Sequence, residues 1–164
     1  MNRSSLFLVA ALLVAALSVS GLAGDKSAWF DKDKCEFCKI WSENPEFQQG
    51  LVWKMTETAD GVLSVMAVDG KHALAFHKAN AANDELMQKL IYKEIKGEKP
   101  QLCGSCSTLV SFFPRGAKMH HMDAANSHIM LLTSGKATVV ADMHKWAQRN
   151  QEEMAKLSMV QSTD

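Results

Sequence analysis

The chain has no excess of charge of either sign. Its 164 residues include 18 basic and 18 acidic side chains, so the formal net charge is zero. A nucleic-acid-binding protein needs a positively charged surface for the phosphates, and no basic cluster of that kind is present. We therefore do not expect a nucleic-acid partner.

Several motifs that mark catalytic sites are also missing. The sequence has no glycine-rich phosphate loop, no HExxH metalloprotease motif and no nucleophile elbow. Its two CxxC motifs are followed by Lys39 and Ser107 rather than by histidine, so covalent haem attachment is not expected. These absences favour a binding protein over an enzyme.

Long apolar runs are confined to the N-terminal segment, residues 1–24. Arg3 precedes an apolar run over residues 6–19, and the small residues around Ala23 are suited to cleavage. A membrane-spanning helix needs roughly 20 apolar residues, so this run is too short to be an anchor. The pattern predicts a signal peptide over residues 1–24 and a soluble mature protein that is periplasmic or secreted, without a membrane partner.

The remaining sequence contains an internal repeat. Residues 35–38 (CEFC) recur 68 positions later as residues 103–106 (CGSC), and residues 77–90 match residues 144–157 with half of the aligned positions identical. We interpret residues 35–90 and 103–157 as two copies of one unit. Residues 25–34 then form an N-terminal segment, residues 91–102 a charged connector and residues 158–164 a C-terminal tail.

Both copies predict the same order of elements. A short helix follows each CxxC motif and ends before a proline, Pro45 or Pro114. A hairpin comes next, with strands at 51–59 and 62–68 around Asp60-Gly61 in the first copy. The second copy has strands at 118–123 and 128–133 around a turn at Asn126-Ser127.

A long amphipathic helix is expected to end each copy. Its buried stripe in the second copy comprises Val139, Val140, Met143, Ala147, Asn150, Met154 and Leu157. In the first copy the corresponding stripe comprises Leu74, Phe76, Met87 and Leu90. Asn83 and Asn150 repeat on this helix and are expected to be buried polar groups.

These elements predict an α+β fold. A unit of about 55 residues is marginally stable alone. We therefore expect two homologous α-β-β-α repeats, related by a pseudo-two-fold axis, that share one antiparallel sheet and one core with the helices on one face.

The first interpretation of the cysteines is metal binding. Thiolates are soft ligands that select zinc or monovalent copper. Cys35, Cys38, Cys103 and Cys106 are able to form one tetrahedral site that fastens the two copies together. Alternatively, each copy holds its own ion through its two cysteines and the histidine that both copies share, His77 or His144.

Two other interpretations remain open at this point. An exported dithiol protein is able to exchange disulfides, which would make the chain a thiol-disulfide oxidoreductase. Charged segments rather than apolar strands precede both motifs, which disfavours a thioredoxin-like setting. The third interpretation is a binding module of unknown partner that is stabilised by two local disulfides, Cys35–Cys38 and Cys103–Cys106.

The second copy alone contains a cluster of histidine and methionine, MHHM at 119–122, followed by His128. Along a strand, His120 and Met122 share one face, while Met119 and His121 share the other. If the loop is Ala124-Ala125, His121 lies directly opposite His128 and the pair is able to bind copper. If the loop is Asn126-Ser127, His121 instead faces Leu132.

The sequence therefore predicts a metal-binding protein that acts as a chaperone, buffer or sensor. Its cofactor is a zinc or copper ion, and a protein partner for metal or thiol exchange fits this role. The candidate ligands are Cys35, Cys38, Cys103, Cys106, His77, His144, His121 and His128.

Overall fold

The computed structural model describes residues 28–44 and 50–161, with side chains up to Lys156. The expected signal peptide, Pro45 and the side chain of Leu157 lie outside these residues. The elements, in chain order, are α1 (Lys39–Ser42), β1 (Val52–Thr58), β2 (Gly61–Ala67), α2 (Ala73–Ile95), α3 (Gly104–Ser111), β3 (Ala117–Ala124), β4 (Ser127–Ser134) and α4 (Ala137–Gln161). A short 3₁₀ turn, Gly70–His72, precedes α2. This is an α+β fold, as expected.

The strands form one antiparallel sheet in the order β1-β2-β4-β3. Each hairpin contributes two neighbouring strands, and the hairpins join through β2 and β4, where Val65 pairs with Ile129. Met55 pairs with Ser64 in the first hairpin, and His121 pairs with Met130 at the equivalent place in the second. Residues of the two hairpins therefore correspond at an offset of 66 in the numbering.

Both hairpin turns lie one residue earlier than expected. Thr58 pairs with Gly61 and Ala124 pairs with Ser127, so the two-residue loops are Ala59-Asp60 and Ala125-Asn126. The expected turns at Asp60-Gly61 and Asn126-Ser127 are therefore wrong. The glycine that indicated a turn lies inside β2 instead.

The core lies on the face of the sheet that α2 and α4 cover. Met55, Val62 and Leu132 point into it from the strands and pack with Leu90 of α2 and Met143 of α4. On the opposite face, the side chains in the middle of the sheet are only half-buried. The sheet is thus covered by helices on one face.

The long helices confirm most of the expected stripes. Val139, Val140, Met143, Ala147 and Asn150 are buried in α4, and Phe76, Met87 and Leu90 are buried in α2. Leu74 is 72% exposed, so its assignment to the stripe is wrong, because a residue two positions before Phe76 lies on the other side of the helix. Helix α2 also continues to Ile95, into the expected connector.

None of the helices in the described part of the chain is long and apolar enough to cross a membrane.

Candidate metal centre

Two segments that are distant in the sequence bring the four cysteines together. Cys35 and Cys38 lie in the turn that leads into α1, and Cys103 and Cys106 lie at the start of α3. The first backbone N–H groups of a helix have no partner within the helix, and they favour a nearby thiolate. At the start of α3, the N–H groups of Gly104 and Ser105 donate to the carbonyl oxygens of Ala28 and Trp29, and the N–H of Cys106 is the backbone group that lowers the pKa of Cys103.

The sulfur atoms form a compact and largely buried cluster. All four lie within 4.8 Å of one another. Cys35, Cys103 and Cys106 are buried, and Cys38 is half-buried. Phe37 and Leu102 pack against the cluster and cover it with apolar surface. Solvent therefore reaches the cluster chiefly at Cys38.

Hydrogen bonds between the two CxxC segments fix their relative position. The backbone N–H of Glu36 donates to the carbonyl oxygen of Gln101 at 3.0 Å, and the N–H of Gln101 donates to the Glu36 carboxylate at 3.1 Å. The other carboxylate oxygen lies 3.6 Å from Nζ of Lys93 on α2. These contacts place the first motif against the segment that leads into the second.

A buried polar network anchors α3 to α4. Asn150 is 1% exposed, and its Oδ1 accepts hydrogen bonds from Trp29 Nε1 at 2.9 Å and Ser105 Oγ at 2.7 Å. Trp146 Nε1 donates to the carbonyl oxygen of Ser105 at 3.1 Å. Because Ser105 lies between the two cysteines of its motif, this network holds Cys103 and Cys106 in position.

Hydrogen bonds among the thiols lower the pKa of two cysteines and raise the pKa of the other two. The bond with Cys106 is the main cause that lowers the pKa of Cys103. The bond to Cys103 raises the pKa of Cys35, but the bonds to the other two cysteines outweigh it, and the pKa falls to about 6. The bond to Cys103 raises the pKa of both Cys38 and Cys106. Cys35 and Cys103 therefore ionise more readily than an ordinary thiol, while Cys38 and Cys106 hold their protons more strongly.

The distances from Cys38 Sγ to the two sulfurs of the second motif match those of a tetrahedral metal site. Zinc–sulfur bonds of about 2.3 Å place two sulfurs of such a site about 3.8 Å apart. Cys38 Sγ lies 3.7 Å from Sγ of both Cys103 and Cys106. The four cysteines thus form a site that is able to hold a metal ion.

The cysteines are not paired in disulfides. All four are free thiols, and an S–S bond would bring two sulfurs to about 2.05 Å. The expected local disulfides, Cys35–Cys38 and Cys103–Cys106, are therefore not present.

The shared histidines do not join the cysteines. His144 Nε2 lies 3.0 Å from the carbonyl oxygen of Gly61 and 3.1 Å from that of Thr58, at the turn of the first hairpin. His77 Nε2 lies 3.2 Å from the carbonyl oxygen of Ala125, in the turn of the second hairpin. The arrangement in which each copy holds its own ion through two cysteines and a histidine is therefore wrong.

His121 and His128 do meet, although neither expected register is present. His121 pairs with Met130, and His128 pairs with Asp123. The histidines are diagonal neighbours on one face, with His121 Nδ1 3.0 Å from His128 Nε2. Diagonal positions on adjacent strands are close enough for long side chains to touch.

The MHHM segment does not form one cluster. Strand alternation places His121 on the helix-covered face of the sheet, while Met119 on the same face packs against the core. His120 and Met122 point to the opposite face, where Met122 is 63% exposed. A copper site that uses both methionines is therefore not formed.

Two acidic residues beside these histidines were not predicted from the sequence. Asp84 of α2 has an oxygen 3.5 Å from His121 Nδ1, and Asp123 has an oxygen 2.8 Å from His128 Nδ1. Burial is the main cause that lowers the pKa of His121, and it outweighs the opposing effect of Asp84. The aligned helices pair Asp84 with Gln151, but half of the aligned positions differ, so the alignment did not single out Asp84.

This chain matches no protein-family model, and neither the curated proteins nor the solved structures contain a match.

Proposed function

We propose that this protein binds one zinc ion through Cys35, Cys38, Cys103 and Cys106, and that it acts in an exported compartment as a zinc buffer, sensor or chaperone. The separation of 3.7 Å between sulfurs from two distant segments carries this proposal. Four sulfur ligands in a tetrahedral arrangement are typical of zinc, and monovalent copper is the other soft ion that thiolates select.

The burial of the sulfurs restricts exchange of the ion to one side of the cluster. Three of the four cysteines are buried, so ligand exchange must begin at Cys38. A thiol-disulfide oxidoreductase instead needs an accessible nucleophilic thiolate. The two sulfurs whose pKa is lowered belong to the buried cysteines Cys35 and Cys103. The burial of these thiolates favours metal binding over disulfide exchange.

Metal content and thiol reactivity test the proposal. Protein purified without chelators is expected to contain a cysteine-bound zinc ion, and its thiols should react with a thiol reagent only after the metal is removed. Cys38→Ser should weaken this zinc binding at least about tenfold, because it removes one of four ligands. Ser107→Ala, which changes an exposed residue next to Cys106, is the matched control and should leave zinc content unchanged.

The other outcomes identify the alternatives. Four reactive thiols in a protein that takes up neither zinc nor monovalent copper would contradict metal binding and favour the oxidoreductase. An absence of both metal and free thiols would instead indicate two disulfides. Stoichiometric monovalent copper in place of zinc would overturn the choice of metal.

We further propose that residues 1–24 direct export. Arg3 followed by the apolar run 6–19 supports this proposal. Expression with N-terminal sequencing of the exported fraction should give a chain that begins near residue 25. A protein that stays in the cytoplasm with this N-terminal segment still attached would contradict it.

We also propose that the two halves are copies related by a pseudo-two-fold axis. The offsets of 68, 66 and 67 for the cysteines, the hairpins and the shared histidines support this. The reciprocal contacts of His77 and His144, each with the turn of the other half's hairpin, support it as well. A crystal structure in which residues 35–90 and 103–157 fail to superpose would contradict it.

A further inference from the structure

We infer that Asp84, His121 and His128 form a second metal site, which binds a divalent cation of the zinc type. This site is separate from the cysteine cluster, and it does not depend on the function proposed above. Its ligand atoms are one carboxylate oxygen and two imidazole nitrogens, a donor set that suits borderline divalent ions rather than soft ones.

The three ligand atoms converge on one point. Asp84 Oδ1 lies 3.5 Å from His121 Nδ1, which lies 3.0 Å from His128 Nε2. All three atoms lie within 4.8 Å of one another. Zinc–nitrogen bonds of about 2.05 Å would place two nitrogens about 3.3 Å apart, so the imidazoles need to separate by only a few tenths of an ångström.

A second carboxylate orients the buried histidine for metal binding. His128 is 3% exposed, and its Nδ1 lies 2.8 Å from Asp123 Oδ1. With its Nδ1–H donated to Asp123, His128 directs the lone pair of Nε2 toward His121. Carboxylates that hold the distal nitrogen of a histidine ligand are common in zinc sites, where they fix the tautomer. His77 Nδ1 lies 3.8 Å from the same Asp123 oxygen and extends the network.

The corresponding positions of the first hairpin carry apolar side chains instead of metal ligands. At the offset of 66 between the hairpins, Met55 corresponds to His121 and Val62 to His128. Met55 is 6% exposed and Val62 is 0% exposed, and both belong to the apolar core. A buried imidazole pair is costly compared with apolar side chains unless its nitrogens are satisfied. Here His121 Nδ1 and His128 Nε2 hydrogen-bond each other at 3.0 Å, and a bound cation would replace this hydrogen bond with two metal–nitrogen bonds.

The site is open on one side. The side chains of His121 and Asp84 are 23% and 37% exposed, while the side chain of His128 is 4% exposed. Two histidines and one carboxylate supply three protein ligands, which leaves a fourth position for water or another small ligand. A cation can therefore enter from solvent without unfolding of the sheet.

Cobalt and zinc titrations of the purified protein test this inference. Co²⁺ bound by cysteine gives thiolate-to-cobalt charge-transfer absorption, whereas Co²⁺ bound by nitrogen and oxygen gives only d–d bands. We expect two equivalents of Co²⁺ or Zn²⁺ per chain. His121→Ala and Asp84→Asn should each weaken the second equivalent at least about tenfold and leave the charge-transfer band unchanged.

His120→Ala is the matched control, because His120 neighbours His121 on β3 but points to the opposite face. It should bind both equivalents. Unchanged affinity and stoichiometry in both His121→Ala and Asp84→Asn would overturn the inference. If the wild-type protein with bound Co²⁺ showed d–d bands but no charge-transfer band, only the cysteine site would be overturned. Failures of the two proposals are therefore distinguishable.

Discussion

Position 61 admits only glycine because the main chain of β4 passes directly beside it. A Cβ atom at this position would lie 1.8 Å from the carbonyl oxygen of Leu132, which is far inside van der Waals contact. The glycine is therefore required for the junction between β2 and β4. The backbone approach also leaves the Gly61 carbonyl within 3.0 Å of His144 Nε2.

Gly61→Ala should therefore separate the two hairpins. We expect the free energy of unfolding to fall by more than about 2 kcal/mol, because the obstacle is backbone and cannot rotate away. Gly70→Ala is the control, since an added Cβ there meets nothing within 4 Å. Urea unfolding of both variants measures the difference, and equal stabilities would contradict the explanation.

The raised pKa values of two of the cysteines predict proton release on metal binding. Cys38 and Cys106 carry the raised pKa values, so these two thiols must lose protons when a four-thiolate site forms, whereas Cys35 and Cys103 ionise more readily. Zinc binding should release protons, but fewer than four per ion, between pH 7 and 8. Zinc affinity should accordingly rise with pH across this range.

Calorimetry of zinc binding in buffers of different ionisation enthalpy counts these protons. A release of about four would mean that all four sulfurs begin as thiols. Affinity that does not change with pH would mean that no thiol loses a proton on zinc binding, which would contradict the raised pKa values of Cys38 and Cys106.

At the scale of elements, each long helix holds the turn of the hairpin in the other half. His144 of α4 contacts the first hairpin, and His77 of α2 contacts the second. These contacts link helix and sheet across the two halves. They also explain why two histidines repeat in the sequence without serving as ligands of the cysteine-bound ion.

His144→Ala should lower stability without affecting the metal. The loss should be about 1 kcal/mol, the usual net contribution of one hydrogen bond. Zinc content should stay the same, because His144 bonds the turn and not the ion. If His144→Ala abolished zinc binding while its stability was unchanged, the histidine would be a ligand after all.

The helices and strands were largely predictable from the sequence, but the register in which the strands pair was not. The stripe through Val139 and Met143 identified α4 because a period of 3.6 residues is a strong signal. Gly61 was assigned to the turn because Asp-Gly is a common turn pair, whereas its true constraint is the neighbouring strand. A contact between strands of different hairpins leaves no local trace in the sequence.

At the scale of the whole molecule, the cysteine cluster joins segments that are 65 residues apart, such as Cys38 and Cys103. A bound ion therefore links α1 to α3. A ligand that binds only the folded state stabilises it by RT ln(1 + [L]/Kd), about 4 kcal/mol at a thousandfold excess over Kd. The ion should contribute a substantial part of the protein's stability.

Removing the ion with a chelator should lower the melting temperature by several degrees. In the Cys38→Ser variant, the same treatment should have a much smaller effect, since the four-ligand site is already broken. Differential scanning calorimetry of both proteins makes this comparison. A wild-type melting temperature that does not change would mean that the ion does not link the two segments.

The sequence identified the cysteines as the candidate functional residues, but it did not show how they are arranged or what chemistry they perform. Two CxxC motifs at equivalent positions favoured metal binding, but they left redox chemistry and local disulfides open as alternatives. The choice depends on the distance between Cys38 and Cys103, which is a property of the fold. Asp84 was missed for the same reason, because α2 brings it to His121 from a distant part of the sequence.

Zinc K-edge X-ray absorption on the His121→Ala variant with one equivalent of zinc tests the central claim most directly, because this variant lacks the second metal site and the spectrum counts the atoms bonded to the ion. The cysteine cluster predicts four sulfur neighbours at about 2.3 Å and no nitrogen or oxygen in the first shell. A shell with fewer than four sulfurs, or one made of nitrogen and oxygen at about 2.0 Å, would contradict the four-cysteine site.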